Sequence, residues 1–70
     1  SGEFREYYVG KEMDVLFEEE KEILGQRYFV GHSPEYVKVA VQCEGNPENQ
    51  IKKVVGKKLL AGDYILGEVI

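Results

Sequence analysis

The chain has 70 residues, of which 43% are hydrophobic and 31% are charged, and its net charge is −4 at pH 7. A chain of this length forms one small domain with a thin core, which excludes two domains and argues against a self-contained complex enzyme. No apolar run approaches the roughly 18 residues that cross a bilayer, and no signal segment opens the chain. We therefore expect a cytoplasmic protein without membrane contact.

Potential metal ligands and nucleophiles are few. Cys43 is the single cysteine and His32 the single histidine. The chain therefore cannot form an internal disulfide, and it has too few ligands for a cysteine-based metal site. We interpret Cys43 as a small residue near a strand end rather than a reactive thiol. The sequence predicts no catalytic residue, metal site or cofactor in this chain.

Charge is distributed unevenly along the chain. Residues 1–22 carry a net charge of −5, whereas residues 23–70 carry +1. An acidic chain disfavours indiscriminate binding to nucleic acid, because repulsion from the phosphates slows encounter. A local basic surface within the second segment remains compatible with this balance.

The first predicted strand covers residues 11–17. Its alternation places Met13, Val15 and Phe17 on one side of an extended chain. The acidic run at residues 18–20 is predicted to end this strand, since closely spaced like charges favour a solvated loop or strand edge.

Two further strands follow. A turn at Gly25 joins the first strand to the second, residues 28–30, as a hairpin that closes at Gly31. Pro34 then interrupts the chain before a third strand at residues 36–42. One face of that third strand is predicted to hold Val37, Val39 and Val41, and the other Tyr36, Lys38 and Ala40.

The segment 50–60 fits two interpretations. Apolar residues at helical spacing favour a helix after the break at residues 45–47, whereas Gly56 and two adjacent valines lower helix propensity. We favour a strand with a bulge or bend at Gly56. The last strand is residues 64–70. Five short strands separated by glycine and proline turns predict a small antiparallel barrel, which removes most exposed edges.

Three segments, residues 10–20, 31–39 and 62–70, resemble a TRAM domain. They are most similar to the C-terminal TRAM domain of bacterial tRNA methylthiotransferases of the radical-SAM family, in particular those that act on threonylcarbamoyl-adenosine. The resemblance covers about residues 7–70, and Gly56 interrupts the alternation that the family pattern leads us to expect. Residues 1–6 are interpreted as a cloning remnant followed by a linker.

The resemblance implies a five-stranded OB-like barrel that binds RNA. Such a domain presents tRNA to a catalytic domain elsewhere in the parent polypeptide, which would carry iron–sulfur clusters and use S-adenosylmethionine. The chain itself would hold neither cofactor and catalyse no reaction. We expect a monomer whose partners are tRNA and the parent catalytic domain.

RNA recognition requires cations for phosphates and flat side chains for unstacked bases. The candidates are Arg27, Tyr28, His32, Tyr36 and Lys38, followed by Lys52, Lys53, Lys57 and Lys58. Simpler interpretations remain open: the lysines could form a solvated face, Tyr28 and Tyr64 could be half-buried rim residues, and His32 could be a turn residue.

A different class of function uses the acidic first strand. Residues 12–22 would suit a basic protein partner by charge complementarity. The same face could instead dock on the catalytic domain of the parent polypeptide. The sequence thus predicts an RNA-binding module, with a protein-recognition or intramolecular docking module as the alternative.

Overall fold

Five β-strands make up the regular structure of the chain, which the computed structural model describes for residues 7–70. They are β1 (Glu12–Ile23), β2 (Gln26–His32), β3 (Lys38–Val41), β4 (Ile51–Leu59) and β5 (Ile65–Val69). The predicted all-β class and the five strands are confirmed. The prediction for residues 1–6 lies outside the described residues.

The five strands form one sheet that closes on itself in the order β1, β2, β3, β5, β4, and β4 returns to pair with β1. Four of the neighbouring pairs are antiparallel, but β3 and β5 are parallel. The prediction of a purely antiparallel sheet is therefore wrong for this pair. The reason is geometric: strand directions cannot alternate all the way around a ring with an odd number of strands.

Strand β1 is longer than predicted, because the acidic run continues it instead of ending it. Glu19 pairs with Val30 and Glu20 with Phe29 across the hairpin. Backbone pairing with β2 does not depend on side-chain polarity, so solvated glutamates are compatible with the strand. The first part of β1 pairs with β4 and its second part with β2.

The turn between β1 and β2 lies where the sequence predicts it. Leu24 and Gly25 both have positive φ angles, 52° and 79°, as a two-residue type I′ hairpin turn requires. Strand β2 extends beyond the predicted residues 28–30 at both ends. Strand β3 is shorter than predicted, because Tyr36 adopts a φ of 66° and leaves the extended region.

The core consists of two apolar clusters, one inside the closed sheet and one on its outer face. The inner cluster contains the predicted alternating residues of β1 and β3: Met13, Val15, Phe17, Val37, Val39 and Val41, with Val54 and Ile65. The outer cluster contains Ile23, Tyr28, Val30 and Ala40, and Leu60, Ala61, Tyr64 and Leu66 pack on it. The β4–β5 connection thus covers part of the outer face of β2 and β3.

Strand β4 confirms the strand interpretation of its segment. Its register with β5 shifts between Gly56 and Lys58, so the bulge falls where the glycine predicts it. A Cβ atom at Gly56 would clash with the carbonyl oxygen of Tyr8. Gly56 also forms an isolated parallel bridge with Val9. The segment before β1 is therefore held against the bulge.

Residues 7–70 contain neither a membrane-spanning helix nor a cluster of metal ligands. That part of the chain contains no helix whose length and apolar character would let it cross a bilayer. Its His, Cys, Asp and Glu side chains form no group of three or more that could hold a metal ion.

Candidate nucleic-acid interface

A groove of about 190 Å³ lies on the outer face of the sheet, over the end of β2. Val30 and Gly31 of the central strand β2 line its floor, Glu18 and Glu19 approach from β1, and Lys38 approaches from β3. The rings of His32, Tyr36 and Tyr64 complete the lining. We call this feature the β2–β3 groove. It combines apolar, cationic, anionic and aromatic groups within a few residues of one another.

A pair of stacked rings stands beside the floor of the groove. The rings of His32 and Tyr36 lie 5.4 Å apart between centroids with an interplanar angle of 13°, and Tyr36 is 80% exposed. Tyr36 holds a positive φ angle that a bulky residue rarely adopts. Strained backbone of this kind persists where the surroundings enforce it, and it clusters at ligand sites.

Ser33 supplies the contacts that hold Tyr36 in place. Its carbonyl oxygen accepts a hydrogen bond from the Tyr36 amide at 2.8 Å, and its amide donates to the Val37 carbonyl at 3.0 Å. Its hydroxyl accepts from the Val37 amide at 3.2 Å. Because Ser33 is 1% exposed, water cannot replace these bonds.

Replacing Ser33 with alanine should lower the free energy of unfolding by about 1–3 kcal/mol, because the substitution removes a buried acceptor from the Val37 amide. Urea denaturation followed by circular dichroism measures this loss. Glu35→Ala changes an exposed residue of the same loop and should leave the midpoint almost unchanged. Equal midpoints for both variants would contradict the proposed role of the hydroxyl.

The Tyr64 ring contacts two ammonium groups that come from different strands. The Nζ atom of Lys21 is 5.3 Å from the ring centroid, and that of Lys38 is 5.9 Å away. The Lys21 ammonium also donates to the Tyr64 hydroxyl at 3.4 Å. Both distances to the ring lie within the range of cation–π attraction. The ring and the two charges therefore form one cationic, aromatic unit at the groove.

Three of the predicted site residues, His32, Tyr36 and Lys38, meet at the groove. Sequence reasoning missed Lys21, because it stands inside the acidic run. The available signal was alternation: Lys21 is two residues before Ile23, which shares its face of β1. For Tyr64 the sequence favours a half-buried rim residue over a base-stacking residue, because its neighbours in space come from distant strands, β1 and β3.

Two predicted residues of β2 are placed differently. Tyr28 is 8% exposed and belongs to the outer apolar cluster, so its predicted exposure for stacking on a base is wrong. The β4–β5 connection covers it. Arg27 precedes Tyr28 and therefore points to the opposite side of the strand. Its guanidinium pairs with Glu20 at 3.2 Å, which separates Arg27 from the groove.

The four lysines of β4 do not line the groove. Strand β4 pairs with β1 and β5, not with β2 or β3. Lys53 pairs with Asp14 at 3.2 Å, and Lys57 approaches Glu68 at 4.0 Å. Lys52 lines a separate depression beside Cys43, and Lys58 lies opposite Leu66 of β5. The structure therefore does not bring these four candidates together with His32, Tyr36 and Lys38.

Comparisons of the chain with protein-family models, with curated proteins and with solved structures gave no match.

Proposed function

We propose that the chain is an RNA-binding domain that holds unstacked bases of single-stranded RNA in the β2–β3 groove. The observation that carries this proposal is the Tyr64 ring, which contacts the ammonium groups of Lys21 and Lys38 and lines the same groove as the exposed Tyr36 ring. Aromatic faces stack on bases of any sequence, and ammonium groups bind the neighbouring phosphates. Both kinds of group occur here within reach of one nucleotide.

The strand arrangement supports the same surface by analogy of fold. OB-folds are five-stranded Greek-key barrels that bind oligonucleotides on the face of strands 2 and 3, with help from the loops between strands 1 and 2 and between strands 4 and 5. Here the groove lies over β2 and β3, and Tyr64 comes from the β4–β5 connection. We therefore propose an OB-like barrel. A fold alone does not define a function, which depends on the residues of the groove.

The resemblance to a TRAM domain specifies which RNA we propose as the ligand and which enzyme we propose as the parent protein. The resembling segment 31–39 contributes His32, Tyr36 and Lys38 to the groove, and the segment 62–70 contributes Tyr64. On this basis the domain binds tRNA in the cytoplasm and presents it to the catalytic domain of a radical-SAM methylthiotransferase. The iron–sulfur clusters and S-adenosylmethionine would then belong to that catalytic domain, and this chain would be non-catalytic.

The salt dependence of binding tests the proposed phosphate contacts. The domain is titrated with a fluorescent anticodon stem-loop at several salt concentrations. Each phosphate contact should contribute roughly −0.7 to −0.9 to the slope of log K against log salt. Lys38→Ala should reduce the slope by about one contact, because it removes one ammonium from the groove.

Lys53→Ala is the matched control for this test. It removes the same charge from β4, where Asp14 already pairs with it, and should leave the slope unchanged. Equal changes in both variants would show that binding depends on total charge alone. Failure of the folded domain to bind at low salt would refute the proposed function.

The alternative, a basic protein partner on the acidic strand β1, has less support. Alternation sends its acidic residues to both sides of the sheet. Basic residues of the chain already lie beside three of them: Lys53 beside Asp14, His32 beside Glu18 and Arg27 beside Glu20. Glu18→Lys combined with Glu20→Lys should weaken a protein partner without abolishing RNA binding.

A further inference from the structure

We infer that the β2–β3 groove selects guanine, the base whose Watson–Crick edge presents two adjacent hydrogen-bond donors. This inference rests on the proposed RNA-binding function and specifies which nucleotide the same groove prefers. Its basis is the pair of carboxylates, Glu18 and Glu19, that line one side of the groove. An ionised carboxylate only accepts hydrogen bonds, so it binds hydrogen-bond donors and repels hydrogen-bond acceptors.

A β-bulge brings both carboxylates to one groove. In a regular strand, successive side chains point to opposite faces of the sheet. The register of β1 against β2 shifts between Phe17 and Glu19, which inserts Glu18 as an extra residue. Bulges of this kind re-aim side chains and often lie beside functional sites. Glu18 and Glu19 therefore line the same groove although they are adjacent in the chain.

The carboxylates retain capacity to accept hydrogen bonds. Within residues 7–70, Glu19 has no salt bridge and no hydrogen-bond partner on its side chain. An oxygen of Glu18 lies 3.5 Å from the Nδ1 atom of His32, and 58% of the Glu18 side chain is exposed. Acceptor oxygens are thus presented to the groove and can pair with a ligand.

The two sides of the groove carry charges of opposite sign. Strand β2 lies between β1 and β3, so the carboxylates stand on one side of the floor and the Lys38 ammonium stands on the other. A nucleotide satisfies both sides when its phosphate faces Lys38 and its base edge faces Glu18 and Glu19. The apolar floor at Val30 and the aromatic rings then contact the faces of the base.

Guanine is the only one of the four bases whose Watson–Crick edge pairs completely with a carboxylate. Guanine presents its N1–H and its N2 amino group side by side, which matches a carboxylate bidentately. Adenine and cytosine each present one amino group next to a ring nitrogen with a lone pair, and uracil places its N–H between two carbonyl groups. An acceptor that faces a carboxylate is repelled, so these bases are disfavoured as well as less well bound.

The test uses four uridine octamers that carry G, A, C or U at one central position, with binding to the whole chain followed by fluorescence anisotropy. The octamer with guanine should bind more tightly than the others by about 5- to 150-fold, the range given by a bidentate contact. Inosine lacks the N2 amino group and should lose most of this preference. Glu18→Gln with Glu19→Gln should reduce the preference while binding to the all-uridine octamer persists.

Glu22→Gln is the control substitution, because it removes one negative charge outside the groove; the guanine preference should persist in it. Equal binding of all four octamers would overturn the inference and leave the proposed RNA binding intact. Loss of the preference in Glu22→Gln would also overturn it, by tracing the effect to net charge. Absence of binding to every octamer would overturn both the inference and the proposed function.

Discussion

Replacing Tyr64 with alanine should weaken the binding of single-stranded RNA by about 5- to 150-fold, which corresponds to the loss of one stacked base. The ring is held at the groove by Lys21 and Lys38. Its removal also leaves the two ammonium groups without the surface that positions them. Fluorescence anisotropy with a uridine-rich octamer measures the loss directly.

Two control variants separate stacking from other effects. Tyr64→Phe keeps the ring and removes only the hydroxyl, which accepts a bond of 3.4 Å from Lys21, so affinity should stay close to that of the unaltered chain. Tyr7→Ala removes an exposed tyrosine from a different depression, beside Lys11, and should have no effect. If Tyr7→Ala weakened binding as much as Tyr64→Ala, the RNA would be bound elsewhere.

Gly31→Ala should produce the largest loss of stability, about 3 kcal/mol or more, because overpacking against backbone leaves little room for relaxation. A Cβ atom at Gly31 would clash with the carbonyl oxygen of Leu16 and lie 2.7 Å from its carbonyl carbon and 2.8 Å from the Cα atom of Phe17. Those atoms belong to β1 next to its bulge. The melting temperature of a domain of this size should fall by at least about 12 °C, which thermal denaturation followed by circular dichroism will show.

Gly45→Ala provides the comparison for Gly31→Ala. Gly45 has a φ angle of 80°, but a Cβ atom there would meet nothing within 4 Å. The cost should be about 1–2 kcal/mol, which is the penalty of a left-handed backbone alone. If both variants lost the same stability, the close approach of β1 and β2 at Gly31 would not be a tight contact.

Local patterns predicted the strands well, because alternation depends on residues close together in the chain. Met13, Val15 and Phe17 alternate into the core as predicted. Gly56 correctly favoured a bulged strand over a helix, since a glycine tolerates the close approach of the Tyr8 carbonyl. The strand through the acidic run was missed, because its stability comes from pairing with β2 and not from its own side chains.

Which strands become neighbours depends on contacts between distant parts of the chain, and here prediction was weaker. The parallel pairing of β3 with β5 follows from closing an odd ring, which no local pattern reveals. The burial of Tyr28 depends on the β4–β5 connection folding back over β2, about 30 residues later in the sequence. The predicted exposure of Tyr28 failed for that reason.

The candidate site shows the same division. His32, Tyr36 and Lys38 lie within seven residues of each other, so one turn and two short strands bring them together. The four lysines of β4 were candidates because they are closely spaced in the sequence, but the order of strands places them away from the groove. Tyr64, which lines the groove, and Lys21, which contacts its ring, are 43 residues apart, and only the three-dimensional fold reveals that they belong together.

The division of β1 between two neighbours has a consequence for self-association. In the described part of the chain, residues 19–23 pair only with β2, and Glu18 before them is the extra residue of the bulge. The other edge of residues 18–23 could therefore accept a strand from a second molecule. Glutamates occupy four of those six positions. Two such edges brought together would place like charges next to each other, and natural sheets use charged edges to block this kind of growth. We therefore expect the acidic run to protect the unpaired edge of β1 against aggregation.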